Sequence, residues 1–153
     1  MKRIRLYNMI LPIWMLWFFP VTWLYILPGN FLWDSLALLA AMALFRVSGK
    51  WKIYKSSILK IWGLGFASDA AGVLLMMLSD VFFPNYEVYF NPFSNAPAFL
   101  WATECVLISS VLIYLLNLKF SFEKTALDTL QKKRLSLVLA VLTAPYLFYL
   151  PTT

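Results

Sequence analysis

The chain has 153 residues, 62% of them hydrophobic and 13% charged, where a soluble domain shows roughly 45–50% apolar and about 25% charged residues. That excludes a water-soluble particle and points to a lipid-facing surface. A net charge of +6, one cysteine and no histidine exclude an internal disulfide and leave His-based zinc, haem and acid–base sites without ligands; the basic residues flank apolar segments, so anionic headgroups on the cytoplasmic side are the expected partner and nucleic acid is not.

Apolar stretches at 7–27, 31–47, 58–83, 98–118 and 135–150 predict an all-α integral membrane protein. It reads as one transmembrane domain, a bundle of about five helices, since a spanning helix needs about 20 residues. In the first stretch, Lys2, Arg3 and Arg5 precede an apolar run that resembles a signal peptide. No A-x-A-like cleavage site follows, so the span is expected to be retained, kinked at Pro12 and Pro20. Pro28-Gly29-Asn30 predicts a tight outer turn. The second stretch is short, and Ser35, Ala37, Ala40, Ala41 and Ala43 give it small-residue faces suited to close helix packing.

The third stretch carries the most information. At about 100° per residue, Trp62, Gly65, Asp69, Gly72, Met76 and Asp80 fall on one stripe with Ser68 and Ser79 at its edge. Leu64, Ala67, Ala71, Leu74, Leu78 and Phe82 form an apolar opposite face expected to meet lipid. Pro84-Asn85 opens a loop that closes at Pro97; its Tyr86, Glu87, Tyr89, Phe90 and Phe93 suit a membrane interface. On the fourth stretch Thr103, Ser110, Tyr114 and Asn117 share a polar face, with Glu104 about a quarter-turn away. The fifth is expected to begin near Thr125 and Asp128, a capping-box-like pair, with Asp128 and Lys132 as an i,i+4 pair.

All 13 Lys and Arg fall into three clusters: Lys2 to Arg5, Arg46 to Lys60, and Lys119 to Arg134. Five crossings place all three in the cytoplasm, with the N-terminus inside and the C-terminus outside. A re-entrant hairpin formed by the first two stretches, followed by three spans, satisfies the same rule. Either arrangement makes the chain a multi-pass protein of the cell membrane.

A charge at the centre of a membrane helix costs about 2.5–3.5 kcal/mol, which singles out Asp69 and Glu104. Asp34 and Asp80 are expected at the outer boundary, so the carboxyls form a series descending from outside toward Asp69. Gly65 and Gly72 leave room beside it, and Ser68, Thr103, Ser110 and Tyr114 are supporting hydroxyls. The series suggests passage of a proton, cation or small solute, by an oligomer or a transporter subunit. Alternatively, Asp69 and Glu104 hold helices in register in an accessory, sensor or immunity-like subunit that binds another membrane protein. A membrane enzyme ranks lowest: no catalytic group, metal site or cofactor is expected from these residues.

Overall fold

The computed structural model describes residues 20–82 and 91–150. Among these residues the chain is all-helical, and three helices are long and apolar enough to cross a membrane: Trp23–Leu44, Lys50–Met77 and Ala96–Ser121. Expectations resting on Lys2, Arg3, Arg5 and Pro12, and on the loop residues Tyr86, Glu87, Tyr89 and Phe90, lie outside the described residues.

Helix α1 (Pro20–Leu44) runs straight through the segment expected to turn: Pro28, Gly29 and Asn30 are all helical. Proline removes one backbone donor and crowds the preceding turn, which packing against other helices in a membrane tolerates. Beside it the Trp62 indole N–H donates to the Leu27 carbonyl at 3.1 Å and ties α1 to the next long helix. The correction moves Asp34 from an outer helix end to the interior of a long helix, where it is only 5% exposed.

Between α1 and helix α2 (Lys50–Met77) the chain reverses through two left-handed residues, Arg46 at φ 49 and Gly49 at φ 66. Glycine adopts this conformation without steric cost. The faces of α2 follow the sequence stripe: Gly65, Ser68, Gly72 and Met76 are buried, while Ala67, Leu74, Leu78 and Phe82 on or just beyond it are exposed. A single turn, α3 (Ser79–Phe82), follows.

Helix α4 (Ala96–Leu116) starts where Asn95 accepts the Ala98 N–H at 2.8 Å, with proline in the first turn, a pairing that satisfies an otherwise unbonded helix-end donor. It continues as a π-turn (Asn117–Ser121). There the buried Asn117 amide donates to the Ile113 carbonyl at 2.9 Å and accepts from the Ser121 hydroxyl at 2.6 Å.

Helix α5 (Thr129–Leu142) begins with a capping box made by Asp128 and Gln131. The expected partners differ: Thr125 donates to the Phe122 carbonyl at 2.7 Å, and Lys132 reaches the Glu123 carbonyl at 3.4 Å and not Asp128. The capping residue is one place to the N-terminal side of the helix, so Gln131 holds the reciprocal third position. With 14 residues, α5 is about 21 Å long, short of the roughly 30 Å hydrocarbon core. A 3-10 turn, Tyr146–Tyr149, follows.

Two apolar clusters join these elements. One gathers Leu38, Met42, Ile61, Phe122, Leu135 and Leu139; the other gathers Val73, Met76, Ala98, Ala102, Cys105 and Phe148. In lipid the association of such faces rests on close packing, because tails are as apolar as leucine. Ala37 and Ala41 are buried as the small-residue pattern requires, whereas Ala40 and Ala43 are exposed. Gly72 marks the tightest approach: a methyl there would overlap the Ser109 hydroxyl and stand 2.7 Å from Phe148.

The second and third basic clusters meet at one end of the bundle. The Lys60 ammonium donates to the Phe120 carbonyl at 3.2 Å, and the Arg134 guanidinium lies 5.7 Å from the Phe45 ring centre.

Candidate functional site

Edge-to-face contacts between α1 and α2 set their mutual rotation: Trp23 against Phe66 at 5.8 Å and Phe31 against Trp62 at 6.2 Å. This rotation brings Asp34 against Gly65, where the missing side chain leaves room; a methyl on Gly65 would sit 3.6 Å from Asp34 Oδ2. Asp69 lies one helical turn further along α2 and faces the same small cavity.

That cavity measures about 30 Å³ and is lined by Asn30, Trp33 and Asp34 of α1, Gly65, Phe66 and Asp69 of α2, and Thr143 just after α5. It has room for about two waters. No lysine or arginine is among the residues that line it, and Asp69 Oδ1 is buried with no hydrogen-bond partner. An isolated carboxylate in such surroundings is costly.

The end of α5 reinforces this. The Trp33 indole N–H donates to the Leu142 carbonyl at 2.8 Å, and Thr143 Oγ donates to the Leu139 carbonyl at 2.9 Å. Thr143 is the C-terminal cap of α5 and lines the cavity, so the partial negative charge of a helix C-terminus adds to the two carboxyls.

The other predicted residues separate from this pair. Ser68 is buried but donates to the Leu64 carbonyl at 2.8 Å, and Gly72 belongs to the contact between α2 and α4. Asp80 falls in α3. Glu104 is on the exposed flank of α4 and does not line the cavity. Thr103 donates to the Phe99 carbonyl at 2.7 Å and accepts from the Tyr149 hydroxyl at 3.0 Å. Ser110 and Tyr114 line an apolar groove between α4 and α5. Of the expected series, Asp34 and Asp69 line one cavity between α1 and α2, and Glu104 lies apart from it.

Asn30, Trp33, Phe66 and Thr143 line the cavity and were not among the expected residues. A signal for the first was present: Asn30 and Asp34 share the four-residue spacing of Gly65 and Asp69, which aligns each pair on one helix face. Reading Asn30 as a turn residue hid it. Among the described residues no group of three or more His, Cys, Asp or Glu could hold a metal ion.

Fold and cavity together define, among the described residues, an all-helical arrangement with three helices of membrane-spanning length and a carboxyl pair held between two of them. No protein family matches the chain, and no curated protein or solved structure does so either.

Proposed function

We propose that this is a multi-pass protein of the cell membrane that takes part in translocation, as an oligomer or as a transporter subunit, with Asp34 and Asp69 as the point where the translocated species binds. The observation that carries this reading is the shared cavity without a neighbouring cation. Its small size favours a proton or small cation over a larger solute. A carboxyl that can accept, hold and release a positive charge at the middle of a membrane helix is a common element of ion and proton pathways.

The orientation belongs to the same reading. The contacts of Lys60 with Phe120 and of Arg134 with Phe45 support one cytoplasmic end for the second and third basic clusters. Five crossings require two beyond the three long helices, one of them made by α5 with the turn after it. Cysteines substituted for Arg3 and Lys52 are expected to be labelled from the same, cytoplasmic side. Labelling from opposite sides refutes the odd count with a cytoplasmic N-terminus.

The direct test is proton and cation flux into liposomes at matched protein incorporation. Asp69→Asn and Asp34→Asn are each expected to lower flux at least tenfold. Unchanged flux in both variants would sink the proposal.

One observation favours a second reading, an accessory subunit that binds another membrane protein. Glu104 shares the exposed flank of α4 with Leu100, Leu107, Ile108 and Val111, and a carboxyl facing lipid is costly, which a polar partner helix would relieve. Recovery of a strictly monomeric chain from native membranes, with nothing bound, counts against it.

A further inference from the structure

The side chains around the carboxyl cavity are unbalanced between donors and acceptors. Asp34 is 5% exposed and makes no hydrogen bond among the described residues, and Asp69 Oδ1 is buried without a partner. Trp33 commits its one side-chain donor to the Leu142 carbonyl, and Thr143 commits its hydroxyl proton to the Leu139 carbonyl. Toward the cavity Thr143 therefore offers lone pairs only. The Asn30 amide is the one side-chain donor left on the walls, set against about four lone-pair sites on each carboxylate.

A proton occupies no volume and needs one oxygen, whereas an oxygen-liganded cation needs several oxygens around a space of its own size. Here two carboxyls, an amide and a hydroxyl from three separate segments line about 30 Å³. Helix α5 stops at Thr143, and the chain turns again only at Tyr146. A helix that ends inside a bundle presents its negative end to a cation, as broken helices do at ion sites. No histidine, cysteine or methionine is on the walls, so the oxygen set suits a hard ion. Among the described residues no third acid joins the pair. The desolvation cost of an ion rises with the square of its charge, so two carboxyls favour a monovalent ion over a divalent one.

We infer that this cavity binds a dehydrated alkali cation of sodium's size, with the Asp34 and Asp69 carboxyls, the Asn30 amide oxygen and the Thr143 hydroxyl as its ligands. The inference names the ion for the translocation site proposed above, and rests on that reading.

Binding and transport are measured separately on the full chain. Radiolabelled sodium is expected to bind saturably to protein in phosphatidylcholine nanodiscs, and unlabelled sodium to displace it better than calcium at equal concentration. Asp34→Asn, Asp69→Asn, Asn30→Leu and Thr143→Val should each weaken binding by about tenfold or more. Thr143→Ser, which restores the hydroxyl, and Ser68→Ala, which alters a buried hydroxyl off the cavity wall, should stay within about twofold of the parent. No sodium binding beside a proton flux that needs Asp69 overturns the inference and leaves the translocation reading standing. Sodium binding that needs Asp69, in a protein that passes no ion in liposomes, keeps the site and sinks translocation. Equal losses in Thr143→Val and Thr143→Ser, or stronger displacement by calcium, also overturn the inference.

Discussion

The acidic cavity and the basic end of the bundle handle charge in opposite ways. In the cavity, two carboxyls are packed between helices with about 30 Å³ of free space and no cation on its walls. At the basic end, charges are numerous, and Lys55, Lys60, Lys119, Lys132 and Arg134 are drawn to carbonyls or aromatic rings. Surface charges of that kind contribute little individually and serve orientation and headgroup contact. A buried charge without a partner is expensive, so the cavity is where substitution should matter most.

The largest expected effect comes from filling the cavity without touching either carboxyl. Gly65→Leu places a side chain beside Asp34 Oδ2, where even a methyl would be at 3.6 Å. Flux should fall at least tenfold, with a stability loss of about 1–3 kcal/mol from overpacking. Retained flux with a stable protein would separate transport from the cavity and break the contrast between the two ends.

Next is Gly72→Ala, which tests whether the inner face of α2 depends on close approach and not on acidity alone. The new methyl meets Ser109 and Phe148, so a loss of about 1–3 kcal/mol is expected in denaturation. At Gly63 an added methyl meets nothing within 4 Å, and Gly63→Ala should be neutral or stabilising by up to about 1 kcal/mol. Equal responses at the two positions would contradict the packing described here.

The smallest effect is expected at Glu104. It is exposed and remote from the cavity lining, so Glu104→Gln should leave flux within about twofold of the parent while weakening any association through α4. A loss as deep as that of Asp69→Asn would restore Glu104 to the pathway and enlarge the site beyond α1, α2 and α5.

Much of this was legible in the sequence, and the exceptions share a cause. The faces of α2 could be read because its small and acidic residues repeat at the helical period. The start of α4 could be read to within two residues because Pro97, which closes the preceding loop, acts locally; the Asn95 cap was not read. Pro28-Gly29-Asn30 misled because turn chemistry in water does not count the packing of a neighbouring helix, and Trp62 joins α2 to the Leu27 carbonyl beside the proline from 35 positions away. Once that turn was assumed, Asp34 moved to the surface and its meeting with Asp69 was hidden. The rotation of α1 against α2 is likewise set by ring contacts between distant residues, which no single-helix period encodes. Glu104 was placed on the correct helix, but a quarter-turn separated an inward carboxyl from an outward one.

Cys105 is the chain's single cysteine and is 1% exposed in the cluster shared by α2, α4 and the final turn. A thiol enclosed this way is a poor nucleophile toward reagents in water. The native chain is therefore chemically silent: a maleimide signal from any introduced cysteine can be assigned to that position without first removing the native one. A signal from the parent itself would report that α2 and α4 have separated, making this side chain a built-in sensor of whether the bundle is intact.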